Sequence, residues 1–208
     1  MKQIHVILMM VFAIAIATPG AYAQQTEKQI QKAAKKEAKA LKKQGWKVVP
    51  GDPAIDMQLA ESYRLQAQKD EEGYGKYIDG RAITTGQSFD AAIFQAENLA
   101  KLQIAGKMET RIAAIINTKV GNEQLDAQEA ASLVKTVAAN KNLIAQRLGQ
   151  VITPVKIFRI LPNGNTEVSI ITYYSQAMAL KVAKQAMKEG LGNDADNLSK
   201  QIDNILGL

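Results

Sequence analysis

Two β-rich runs flank the dipeptide Asn163-Gly164 in VITPVKIFRILPNGNTEVSIITYY, and they constrain the fold more than any other stretch. Asn-Gly between such runs is a hairpin signature, because both central residues of a two-residue turn take positive φ. Val155, Ile157, Phe158 and Ile160 supply the first strand; Val168, Ile170 and Ile171 supply the second. Pro154 has no N–H for a ladder, so the first strand begins at an edge or carries a bulge. A third strand is expected over GKYIDGRAITT, Gly75 to Thr85, with a bulge or bend at the central Gly80.

Two helical periodicities separate that strand from the hairpin. The first helix is capped by Ser88 and buries Ile93, Ala96, Ala100, Ile104, Met108, Ile112 and Ile115, as far as an interruption at Val120-Gly121-Asn122. The second runs from Asp126 to Leu148 with Ala130, Val134, Val137, Ile144 and Leu148 in register, and Gly149 ends it. Strands separated by two consecutive helices do not make a regular βαβ series. The expected fold is therefore α+β, a three-stranded antiparallel sheet with two long helices packed on one face. C-terminal helices follow, one capped by Ser175 and running to Glu189, and one using Leu198, Ile202, Ile205 and Leu206. Between them, Asn193 to Asn197 is faintly like a calcium loop but lacks its glycine and distal glutamate. Helix capping by Asn193 or Asp194 accounts for it.

The N-terminus reads as a secretory signal peptide over residues 1–23. Lys2 is the basic end, Ile4 to Thr18 the apolar core, Pro19 and Gly20 the break, and Ala21-Tyr22-Ala23 the cleavage site. Cleavage there would leave no integral membrane segment. It would also remove His5, the only histidine, and the chain has no cysteine. A Ser-His-Asp triad, a thiol nucleophile and an ordinary zinc site are thereby excluded, and the lipoprotein route lacks its cysteine. No cofactor is expected, and no isolated carboxylate pair marks acid-base chemistry.

The net charge of +6 is concentrated in one place. Gln24 to Gly45 carries seven lysines against Glu27 and Glu37, while Trp46 onward has 18 basic and 18 acidic residues. A nucleic-acid binder would place basic residues on a recognition element of the body, so nucleic acid is not the expected partner. Thr26 to Gln29 resembles a capping box for a helix in KQIQKAAKKEAKALKKQ. Its apolar stripe of Ile30, Ala33, Ala34, Ala38 and Leu41 is narrow, and residues 24–45 are expected to form a solvated helical arm, dispensable for folding, ahead of a single domain over 46–208. Lys35, Lys36, Lys39, Lys42 and Lys43 are its candidate contacts with an anionic lipid or acidic glycan.

Gly45 suits the left-handed position beyond a helix end, and the ending that uses it brings Trp46 back onto Leu41. Trp46, the only tryptophan, is thus a half-exposed latch or, alternatively, a platform for a sugar. Val49-Pro50-Gly51-Asp52 is a type II turn signal, after which Asp52 caps a helix with Pro53 at its first position, running to Lys69.

Four features carry a resemblance: YIDGRAITTG, the helix spaced by Ala92, Ala96, Ala100 and Leu102, the second helix, and the IFRILPNGNTEVSI hairpin. Over roughly Tyr74 to Tyr174 the chain resembles the twenty-kilodalton lipoprotein family typified in Helicobacter, whose domain is similar to the N-terminal domain of a flagellar ring-assembly protein. GWKVVPGDPAIDMQLAES looks like the opening segment of secreted Bacteroides-type proteins. The lipidated cysteine is missing here and the lysine-rich segment is extra. The resemblance implies an α+β envelope module that contacts other proteins, with no family active site to carry over. The expectation is an exported, non-enzymatic protein of the periplasm, cell envelope or medium that binds another envelope protein or itself. The alternative is a periplasmic small-ligand or glycan-binding protein.

Overall fold

The computed structural model describes residues 27–71, 73–121 and 126–190. The signal segment, Thr26, the Asn193 to Asn197 run and the helix expected at Leu198 to Leu206 lie outside them. The elements in chain order are α1 (Glu27–Lys43), β1 (Lys47–Val48), α2 (Ile55–Ala67), β2 (Tyr77–Gly86), α3 (Phe89–Gly121), α4 (Ala127–Ala139), α5 (Lys141–Arg147), β3 (Ile152–Ile160), β4 (Thr166–Ser175) and α6 (Gln176–Gly190).

The class is α+β with an antiparallel sheet, but the sheet has four strands in the order β1-β3-β4-β2. The strand missed in the sequence is β1, which pairs Lys47 with Phe158 and Val48 with Ile157. Two residues are too few to show an alternation of apolar and polar side chains, the sequence signal of a strand.

Alternation along β3 and β4 divides the core. Val168, Ile170 and Phe158 meet Ala92, Ala96 and Ala100 of α3. Val155, Ile157 and Ile171 meet Ile55 and Leu59 of α2. Side chains of successive strand residues point to opposite faces, so helices cover both faces of the sheet. The expected packing of two helices on one face is corrected accordingly. At 33 residues, α3 is about 50 Å long and outruns the sheet. Its second half, with Met108, Ile112 and Ile116, builds another core with Leu133, Val137, Ile144, Leu148, Ala183 and Met187 of the later helices. The buried stripe of α3 uses Ala92 and Ile116 where Ile93 and Ile115 were expected.

No bulge occurs at Gly80: β2 pairs with β4 in unbroken register from Tyr77↔Ser175 to Gly86↔Thr166. The glycine is needed for approach, since a β-carbon there would stand 2.1 Å from the carbonyl oxygen of Ala100. The irregularity falls instead between Ile152 and Val155, around Pro154, as the missing N–H requires.

The hairpin loop is longer than two residues. Gly164, at φ 82°, donates its N–H to Leu161 O at 2.9 Å, and Leu161 donates to Asn165 O at 2.8 Å. Pro162, Asn163 and Gly164 thus form a three-residue loop with glycine at the left-handed position.

Two expected helices are shorter than their periodicity. The Asp126 helix begins with the Asp126 carboxylate accepting from the Gln128 and Glu129 N–H groups, but it breaks at Asn140 into α4 and α5. At the break Asn140 takes φ −93° and ψ 6°, and its Nδ2 donates to Thr136 O at 2.8 Å beside its own N–H, which donates to the same oxygen at 3.1 Å. α2 starts at Ile55 and ends at Ala67. The turn before it forms as expected, with Gly51 at φ 91° and Asp52 N–H donating to Val49 O at 3.0 Å. The Asp52 side chain pairs with Lys156 at 3.2 Å instead of capping α2.

The solvated arm is corrected as well. Ile30, Ala34 and Ala38 of α1 are buried with Trp46, Ile55, Leu59, Ala60, Val155 and Ile157, so α1 belongs to the same packed body. Its stripe is narrow because alanines let α2 come close, not because the helix stands free.

Candidate functional site

Two i, i+3/i+4 lines of lysine run along α1, Lys28-Lys32-Lys35-Lys39-Lys42 and Lys32-Lys36-Lys39-Lys43. At 3.6 residues per turn, all seven fall within about a third of the helix circumference, opposite the Ile30-Ala34-Ala38 stripe. Every one of them is exposed. Of the two acids of α1, Glu27 lies in line with the buried stripe and Glu37 at its edge, and both turn toward α2. Glu27 accepts two bonds from Arg64, at 2.6 Å and 3.1 Å, and one from Gln31 at 2.9 Å. Those bonds hold the Glu27 carboxyl down at about 2. Glu37 accepts a hydrogen bond from the Tyr63 hydroxyl. Burial first, and then the Glu37 carboxylate beside it, pushes the Tyr63 phenol well above its ordinary range.

No acid therefore remains on the outer arc of α1. Lys35, Lys39, Lys42 and Lys43 line a shallow groove of about 550 Å³ with Ala38 and Asp56. Four of the five lysines singled out in the sequence come together there, and Lys36 lies on the same face outside the groove. Asp56 was not foreseen, because nothing local connects the first turn of α2 with the last turns of α1. A second groove, of about 420 Å³, opens between α1, α2 and β3 and is lined in part by Gln31, Met57, Arg64 and Lys156.

Trp46 does not belong to this surface. Gly45, at φ 87°, donates to Lys42 O at 3.1 Å and Trp46 N–H donates to Leu41 O at 3.1 Å, the expected helix ending. The ring continues into the core, only 6% exposed, where Leu41 packs against the same cluster. The Arg159 guanidinium covers it at 4.7 Å from the centroid, donates to Gln44 O at 3.2 Å and pairs with Glu167 at 2.5 Å. The half-exposed latch is thus a buried one, and the ring offers no open face to a sugar.

A separate polar cluster holds the α2–sheet junction. The Ser62 and Tyr173 hydroxyls are 2.9 Å apart, and burial raises the Tyr173 phenol. Asp79 accepts from Lys107 at 2.5 Å and from Arg81 at 2.7 Å. Burial works to raise the Asp79 carboxyl, but those two cations overcome it and hold it below the usual carboxylate range. Lys107 also donates to Asp79 O at 2.9 Å, and Gln103 accepts from Arg81 N–H at 3.0 Å. Side chains of α3 thereby occupy part of the free edge of β2, a means of blocking sheet extension. Asp79 and Arg81, two apart on one strand, could have been paired from the sequence; Lys107 could not.

Among the described residues no three His, Cys, Asp or Glu side chains gather to hold a metal, and no helix is long and apolar enough to cross a membrane. Comparison with protein-family models, curated proteins and solved structures finds no match.

Proposed function

We propose that this chain is an exported, non-enzymatic module of the bacterial envelope that works by contact, with the lysine face of α1 as its contacting surface. The observation that carries the reading is the disposition of charge on α1. Seven lysines face outward while Glu27 and Glu37 are held against α2. A folding role does not call for that separation, since all seven lysines are exposed. Acids interspersed on the same face would stabilise the helix by i, i+4 pairing.

The test places a photo-cross-linking residue at Ala40, exposed on α1, and a control at Ala131, exposed on α4. The expected result is an envelope-located protein, beginning at Gln24 by intact mass, that gives protein or lipid adducts from Ala40 and none from Ala131. A protein retaining Met1 to Ala23 in the cytosol, or adducts equal from both positions, would reject the reading.

The second reading is a small-ligand or glycan-binding protein, and the groove at Met57, Arg64 and Lys156 is what favours it. Under that reading Met57→Glu abolishes ligand binding while the lysines remain dispensable.

A further inference from the structure

We infer that the partner of the lysine face is an anionic phospholipid surface, on which the folded protein lies peripherally with α1 against the headgroups. The inference rests on the contact function proposed above and names the chemistry of its partner. Three observations lead to it.

The first is shape. α1 has 17 residues, about 26 Å of helix, and its lysines extend along the whole length. Lys35 to Lys43 alone span about 12 Å along the axis. A compact anion calls for donors that converge, and here they are spread in a row beside the Asp56 carboxylate. A row of ammonium groups fits an array of phosphates.

The second is residue type. α1 contains no arginine. Specific recognition of a carboxylate or phosphate favours the planar fork of arginine, whereas lysine is a hydrated point charge on a flexible stem. Lysines adapt to mobile headgroups and need no fixed register.

The third is the fate of the apolar stripe. An interfacial amphipathic helix buries its apolar face among acyl chains. Here that face is occupied by Trp46, Ile55, Leu59 and Ile157 of the protein itself. Adsorption is therefore electrostatic, shallow and reversible, and sensitive to salt over a Debye length. Because residues from Trp46 onward balance at 18 basic and 18 acidic, α1 also fixes the orientation.

The experiment is co-sedimentation of the mature protein with vesicles. Binding is expected to phosphatidylglycerol–phosphatidylethanolamine vesicles, with none to pure phosphatidylcholine, and is expected to disappear between about 0.05 and 0.5 M salt. The quadruple variant Lys35→Gln, Lys39→Gln, Lys42→Gln, Lys43→Gln should lose more than about a hundredfold in partitioning, at about fivefold per lysine. Its thermal midpoint should stay near that of the parent, which shows that folding is intact. A control with the same charge change, Lys101→Gln, Lys119→Gln, Lys135→Gln and Lys181→Gln, should bind nearly as the parent does. Equal losses in the two quadruple variants would overturn the proposal, since net charge and not the face would be responsible. Binding to soluble polyphosphate or an acidic polysaccharide with none to vesicles would overturn it too. If vesicle binding is absent while the Ala40 adduct persists in cells as a protein adduct, this inference falls and the contact function stands.

Discussion

The carbonyl oxygen of Ala100 stands 2.1 Å from where a β-carbon on Gly80 would be, and it is backbone, so it has no rotamer by which to move. Gly80→Ala should push α3 off β2 and cost about 3 kcal/mol or more, the upper end of overpacking. Urea unfolding measures it. Trp46 argues in the opposite sense, from a side chain that cannot be spared. With its ring buried beneath Arg159, Trp46→Ala should cost about 3–5 kcal/mol and lower the stability of the whole body, whereas a latch on a loose arm would lower only local protection. Hydrogen exchange across β3 separates the two outcomes. Asp79 supplies a pH dependence. Its carboxyl is held down by Lys107 and Arg81 against the opposing effect of burial, so the charged form stabilises the fold. That contribution is fully present above the ordinary carboxylate range near 4 and is lost as pH falls through the depressed folded value. Asp79→Asn should therefore be less stable than the parent by about 1–2 kcal/mol at neutral pH, with the gap closing in acid. A gap unchanged at low pH would mean that Asp79 acts through its packing. The Asp79–Arg81 pair was within reach of the sequence, being two apart on a strand, but the third partner came from 28 residues away on another element.

α1 is the element whose reading changes most between sequence and structure. An amphipathic stripe reports how many large side chains a helix can bury, and Ile30 with two alanines looks too little for a core. Alanine, however, also sets how closely a neighbouring helix can come, and α2 uses that closeness to bury Ile55 and Leu59. Removing Glu27 to Lys43 should therefore uncover Trp46, Ile55 and Leu59 together and cost more than about 5 kcal/mol, at about 1.5–3 kcal/mol for each large side chain exposed. Loss of the cooperative thermal transition with gain of dye binding is the expected observation; a truncated protein that melts within a few degrees of the parent would restore the separable arm. α4 and α5 show the converse limit. Their apolar register continues through Asn140, so periodicity alone joins them, and the break lies in the backbone of Asn140 itself, at φ −93° and ψ 6°.

At the scale of the molecule, two cores share one helix. The half of α3 that carries alanines lies on the sheet, and the half that carries Met108, Ile112 and Ile116 gathers the later helices. Charge is distributed as unevenly as packing, with a balanced body and one lysine-faced helix. The sequence by itself determined what depends on neighbours within one turn or one strand. These are the α+β class, the hairpin at Asn163-Gly164, the Gly45 helix ending, and the lysine segment with its acid-poor composition. Tertiary structure alone decided what depends on approach between distant elements: that helices cover both faces of the sheet, that a two-residue β1 closes its edge, that α1 belongs to the core, and that Trp46 is buried. The physical reason is that periodicity records which side of an element is apolar, while burial is set by what comes to cover that side. Closeness of backbones, as at Gly80 and along the alanines of α1 and α3, leaves almost no trace in hydrophobicity because the residues that permit it are the smallest.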